Sequence, residues 1–145
     1  MGAVLIGANV KNLTPGVHGS TFGGNPLSCA AGNAALDVMK DEDLPGQAAE
    51  KGAYLMEKLK SIQSPNIRDV RGMGLMIGIE MKQKVAPYLK ALQEKKIIAL
   101  NAGMTVIRLL PPLVITYDQI DHLAEGLGAV LAADLEADRR MKADE

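Results

Sequence analysis

Apolar residues recur along this chain in two rhythms, spacings of three and four in some stretches and strict alternation in others. Leu44, Ala48, Leu55, Leu59 and Ile62 line one face of a helix, while Glu50, Lys51, Glu57, Lys58 and Lys60 lie mostly off that face. Ser64-Pro65-Asn66 ends it, because a residue before proline disfavours the α region. The rhythm then changes. Arg68 to Gly72 leads through Gly74 into Leu75-Met76-Ile77-Gly78-Ile79-Glu80-Met81, where Leu75, Ile77, Ile79 and Met81 alternate with their neighbours as in a strand with one buried face. Val85, Tyr88, Leu89 and Leu92 predict a short amphipathic helix. Ile97 to Leu100 reads as a strand, Asn101-Ala102-Gly103 as a turn, and Thr105 to Leu110 as a strand stopped by Pro111-Pro112. Leu113 to Ile115 follows as a short extended piece. Ile120, Leu123, Leu127 and Val130 then predict a closing helix, and the mostly charged stretch from Asp134 to Glu145 a frayed helical end or tail.

The first forty residues follow neither rhythm. Ala3-Val4-Leu5-Ile6 reads as a short buried strand with no polar lead-in, as if it belonged to a larger sheet. Lys11 to Gly16 is turn chemistry. Leu27 to Leu36 is a run rich in small residues, suited to a tightly packed helix that ends near Lys40-Asp41-Glu42-Asp43. These residues are too few for a core of their own. A boundary therefore falls within 40–66, and the part beyond it is a layered α+β unit.

Composition narrows the class. The chain has 145 residues, 48% hydrophobic and 23% charged, which suits a globular protein rather than a disordered one. With no Trp, one Phe and three Tyr, packing falls to aliphatic side chains and Met. A net charge of −1 gives no footprint for nucleic acid or anionic lipid. The single Cys29 cannot form an intramolecular disulfide, no run is long enough to span a bilayer, and no basic leader precedes the first apolar run. The expectation is a soluble, cytoplasmic protein.

Chemistry concentrates in His18-Gly19-Ser20-Thr21-Phe22-Gly23-Gly24-Asn25-Pro26. Asn25 suits an N-cap and Pro26 the first helical position. Glycines and hydroxyls beside a helix start suit an anion, commonly a phosphate. They equally suit a tight turn whose Ser20 and Thr21 serve their own backbone, and spacing alone leaves the two readings level. His18 has no partner in recognisable spacing, and Cys29 sits in a small-residue helix where packing is the simpler role. His18 and His122 are far apart, so no metal site is expected. Val70 to Gly74 lacks the Gly-Lys-Ser/Thr ending of a phosphate loop, and its glycines suit a bend. Arg108 stands between Val106-Ile107 and Leu109-Leu110, where a buried guanidinium would need an anion. On the residues alone, reaching solvent or pairing with Glu80 is the favoured reading.

Three co-linear segments carry a resemblance: 18–26, Arg71-Gly72-Met73-Gly74-Leu75-Met76-Ile77-Gly78, and Val106-Ile107-Arg108-Leu109-Leu110-Pro111-Pro112-Leu113. Together they resemble the class III aminotransferases, fold-type I enzymes that use pyridoxal 5'-phosphate, over nearly the whole chain. The similarity is greatest to the acetylornithine branch and to members acting on lysine or ornithine held by an amino-group carrier protein. The resemblance implies an α/β fold, the C-terminal portion of a pyridoxal-phosphate-dependent transferase. Residues 1–44 would end the large cofactor-binding domain, and 45–145 would form a linking helix and α+β small domain. It implies that Thr21 binds the cofactor phosphate of a neighbouring subunit in a homodimer, that Ser20 contacts substrate and that Arg108 clamps the substrate carboxylate. The implied reaction moves a terminal amino group from an acetylornithine-like or carrier-bound lysine or ornithine substrate to 2-oxoglutarate. The lysine that holds the cofactor in such enzymes precedes the segment matched by Gly2-Ala3-Val4, so the chain alone is expected to be inactive. The alternative is a non-catalytic binding or dimerisation module of the same fold, which would fold residues 1–6 into its own core.

Overall fold

The computed structural model describes residues 2–11, 14, 16 and 18–143, with side chains described as far as Ala133. It divides into two compact units, Met1–Asp43 and Leu44–Glu145.

In the first unit, helix α1 (Pro26–Asp41) begins as the sequence predicts. The Asn25 side chain accepts from the Ser28 amide at 2.9 Å, and Pro26 takes the first helical position, where an amide would have no partner. The tight packing expected of its small residues is not seen: none of its residues is buried. Nor do residues 3–6 form a strand. Val4 is 86% and Leu5 98% exposed, and no strand among the described residues pairs with them. A strand needs a partner for its backbone donors and acceptors, and apolar sequence cannot supply one. This exposure is also the reverse of what a self-contained module predicts for these residues. The expected turn at 11–16 includes Asn12, Leu13 and Pro15, which lie outside the described residues.

The second unit is built on α2 (Leu44–Ser61), β1 (Ile67–Met73), β2 (Met76–Met81), α3 (Ala86–Glu94), β3 (Leu100–Ala102), β4 (Val106–Leu109) and α4 (Tyr117–Ala143). The four strands form one antiparallel sheet in the order β1-β2-β4-β3. Alternation along β2 places Ile77, Ile79 and Met81 in the core and turns Met76 outward. Ile107 and Leu109 do the same on β4. Leu55 and Leu59 of α2, Tyr88 and Leu92 of α3, and Ile120, Leu123, Leu127 and Val130 of α4 pack with them in one cluster. Each predicted helical stripe is therefore the buried one. The opposite sheet face, carrying Asp69, Arg71, Met76 and Arg108, stays exposed.

Three strand expectations need correction. Residues 67–73 are a strand in their own right, the outer arm of a β1–β2 hairpin closed by Gly74-Leu75. Gly74 has φ +53, which fits the glycine-first pattern of tight hairpin turns. Ile97–Ala99 is not a strand, because the chain leaves α3 through a left-handed residue, Lys96 (φ 62). The Lys96 amide donates to the Gln93 carbonyl at 2.9 Å and the Ile97 amide to that of Leu92 at 3.0 Å, the paired bonds of a Schellman ending. Pairing begins only at Leu100, so Asn101 and Ala102 are strand residues and the turn falls at Gly103-Met104. Leu113-Val114 is a turn rather than an extended piece, with the Ile115 amide donating to the Pro112 carbonyl at 3.0 Å.

Candidate active-site residues

Ser20 and Thr21 lie in the first unit, Arg108 in the second. Each part is built by local chemistry. The turn around Ser20 and Thr21 is held by backbone and by Asn25. The Gly23 amide donates to the Ser20 carbonyl at 3.3 Å, and the Asn25 side-chain amide donates to the Phe22 carbonyl at 2.8 Å. The two hydroxyls are exposed, and among the described residues neither enters a hydrogen bond. The turn does not consume them. Gly19 and Gly24 leave open space where a Cβ would stand, and Gly24 has φ +70. Free hydroxyls on a glycine-bearing turn are a donor set that suits a phosphate. His18 is exposed, and Cys29 is a free, half-buried thiol within α1.

Arg108 sits at the middle of β4, directly opposite Gly78 on β2, and Gly78 is in turn directly opposite Arg71 on β1. All three belong to the exposed sheet face. In the next row, Asp69, Glu80 and Val106 stand opposite one another. Arg108 is not buried, and it does not pair with Glu80. The Arg71 guanidinium donates to Glu80 Oε2 at 2.7 Å and to Asp69 Oδ2 at 3.0 Å, and Arg68 donates to Glu80 Oε1 at 3.0 Å. Arg71 first and Arg68 second hold the Glu80 carboxyl below the usual carboxylate range. Among the described residues Arg108 forms no ion pair. A guanidinium without an anion on an open face is placed to take a carboxylate from solution, for which its planar fork suits it.

The Arg71–Glu80 pair and the gap at Gly78 escape a reading of sequence. Asp69, Arg71 and Met73 do alternate, and that was the available signal. A register shift between Ile67 and Asp69 breaks the rhythm, and charged residues hide the strand.

The chain belongs to the class III aminotransferases: the model of that family matches residues 1–131. It is 53% identical over 120 residues to an ornithine aminotransferase of Exiguobacterium sp., covering 83% of this chain and 30% of the relative. It is 56% identical over 120 residues to a LysW-aminoadipate semialdehyde transaminase of Deinococcus radiodurans, covering 82% of this chain and 28% of the relative. Among solved structures it resembles the acetylornithine aminotransferase of Elizabethkingia anophelis, with a TM-score of 0.76, 35% identity, and coverage of 83% of this chain and 33% of that one. It also resembles the ornithine aminotransferase of Toxoplasma gondii, with a TM-score of 0.79, 35% identity, and coverage of 86% and 31%. The fold is accordingly part of that of a pyridoxal-phosphate-dependent aminotransferase, and pyridoxal phosphate is the cofactor expected of the family. The chain spans about 30% of the length of the curated relatives it matches. No helix among the described residues is long and apolar enough to cross a membrane.

Proposed function

We propose that this chain supplies the C-terminal part of an aminotransferase active site. The whole protein would carry a terminal amino group from an acetylornithine-like donor, or from lysine or ornithine on a carrier protein, to 2-oxoglutarate. The observation that carries this reading is Arg108, exposed on β4 and in no ion pair among the described residues, while Arg71 on the same sheet face is engaged with Glu80 and Asp69.

Thr21 and Ser20 offer free hydroxyls to a phosphate and to substrate oxygens. Pyridoxal phosphate, when bound, supplies the electron sink on which amino-group transfer depends. Arg108 binds the carboxylate common to amino donor and 2-oxo acceptor, which fixes the substrate's orientation. Residues 1–44 form the end of the cofactor-binding domain and 45–145 the linking helix and small domain. Thr21 acts across the interface of a homodimer, as class III aminotransferases are generally homodimeric. The chain by itself gives no turnover.

Two measurements test the reading on the 145-residue chain. Glutarate, a dicarboxylate probe, should shift the side-chain NMR signal of Arg108, and R108M should abolish binding; equal binding by R108M refutes the clamp. Incubation with pyridoxal phosphate, acetylornithine and 2-oxoglutarate should give no glutamate. Turnover, with one borohydride-trapped lysine, refutes inactivity of the isolated chain.

A further inference from the structure

The segment running from Ile98 to Ala102 has the sequence of a strand and only part of its pairing. Leu100 and Ala102 stand opposite Arg108 and Val106 on β4. The direction of the remaining backbone groups follows from the ladder. The Met81 amide donates to the Thr105 carbonyl at 2.7 Å, in continuation of the β2–β4 register. Residues of an antiparallel strand bond alternately toward one neighbour and the other. Thr105 and Ile107 therefore bond toward β2, and Val106 and Arg108 toward β3, where Ala102 and Leu100 answer them. That leaves the amide and carbonyl of Asn101 pointing away from the sheet. β3 is the edge strand, so no further strand of this sheet lies beyond it. Ala99, two residues earlier, belongs to the same outward series. Among the described residues its amide and carbonyl have no partner.

This edge runs beside a helix. Two clefts lie between α3 and the segment 98–104: one reaches from Lys84 to Asn101 and Met104, the other from Lys90 to Ile98 and Ala99, and Leu89 borders both. The nine residues of α3 measure about 13 Å, a length that about four extended residues cover. Lys84 stands at one end of this groove and Lys90 at the other. Both are exposed, and neither joins an ion pair among the described residues. Residues 82–96 hold five lysines against one acidic residue, Glu94, in a chain whose net charge is −1.

An unpaired strand edge is a template for another strand. A second copy of this chain would bring lysine against lysine, whereas carboxylates complement both ends of the groove. On the other face of the same edge, Ile98 is 87% and Leu100 53% exposed. Side chains of an added strand alternate between these two faces.

We propose that the groove between α3 and β3 docks an extended, acidic segment of a partner protein, which joins the four-stranded sheet at its β3 edge. Its backbone pairs with Ala99 and Asn101. Its carboxylates on the helix side reach Lys84 and Lys90, and its apolar side chains on the other side cover Ile98 and Leu100. None of this depends on the roles proposed for Arg108, Ser20 or Thr21.

The probe is a blocked peptide of about six residues alternating Glu and Val, added to the 145-residue chain and followed by amide NMR. The Ala99 and Asn101 amide signals should move, and their hydrogen exchange should slow by about fivefold or more at saturation. K84E/K90E should weaken binding by about tenfold with its amide spectrum otherwise preserved. Two further peptides carry N-methyl groups on one or the other alternate series of residues. One of them should lose binding and the other keep it, because only one series of amides faces β3; this arm leaves the protein unaltered. A peptide alternating Lys and Val should not bind.

Unmoved Ala99 and Asn101 amides at millimolar peptide overturn the proposal. Equal binding by the parent and both N-methylated peptides rules out strand addition, and equal binding by the Lys peptide rules out an acidic partner. If the two amides become protected as protein concentration rises, with no peptide present, the occupant is a second copy and the proposal fails.

Discussion

The backbone of Gly52 in α2 lies so close to that of Gly74, at the tip of the β1–β2 hairpin, that a Cβ on residue 52 would overlap the Gly74 carbonyl. The helix is thereby seated on the turn that opens the strand leading to Gly78 and Glu80. Replacing Gly52 by Ala gains about 1 kcal/mol of helix propensity. It also forces two backbones apart, and overpacking of that kind costs about 1–3 kcal/mol or more. G52A should therefore be destabilised on balance in urea unfolding. A stabilised variant would show that the helix is not held there.

Lys96 occupies the left-handed position of the ending of α3, with φ 62, where a side chain is strained by about 1 kcal/mol. K96G should raise the unfolding free energy by up to about that amount, and K96A should not. Ile97 stays buried in both, so the comparison isolates backbone strain from packing.

Core truncation should be felt across the second unit. Leu59 and Ile79 are essentially without solvent exposure and belong to one cluster. L59A and I79A should each lose about 2–5 kcal/mol in denaturant unfolding. A loss under 1 kcal/mol at both positions would mean that α2 is not packed on the sheet.

Asp121 of α4 ties that helix to α2. It accepts from the Tyr54 hydroxyl at 2.9 Å and pairs with Lys58 Nζ at 2.8 Å, with the Lys58 ammonium 4.8 Å from the Tyr54 ring centroid. Lys58 first and Tyr54 second hold the Asp121 carboxyl below its ordinary value. A depressed folded pKa stabilises the fold above the unfolded value, about 3.9, and that contribution disappears as pH falls through the folded value. D121N should melt below the wild type at pH 7, and the gap should narrow as pH falls below about 3.9 and close once the folded carboxyl is protonated. A constant gap over pH 2–7 would assign the difference to packing instead of charge.

The cap of α1 should act locally. Asn25 accepts from the Ser28 amide and donates to the Phe22 carbonyl and to Ser28 Oγ. N25A removes a cap commonly contributing about 1 kcal/mol. Because α1 buries no residue, amide exchange should speed up about fivefold in residues 27–30 and remain unchanged in β2 and α4.

Much of this molecule is written in local pattern. Leu55 and Leu59, Tyr88 and Leu92, and Ile120 and Leu127 announce their helices because a buried stripe recurs with the helical period. Ile77 and Ile79 announce a strand because neighbouring side chains alternate across a sheet. Asn25-Pro26 specifies a helix start through groups a few residues apart. The three co-linear segments were likewise enough to point to the family.

Partners distant in sequence follow no such rule. Residues 3–6 have the composition of a strand and, among the described residues, lack its pairing. Residues 67–73 form a strand despite their charges, because β2 supplies the ladder. Sequence by itself singled out Ser20, Thr21 and Arg108. Tertiary structure decided that the two hydroxyls are left free by their own turn, and that Glu80 pairs with Arg71 and leaves Arg108 open. That pairing joins β1 to β2 through the ladder between them, and cross-strand register is fixed only when the sheet assembles.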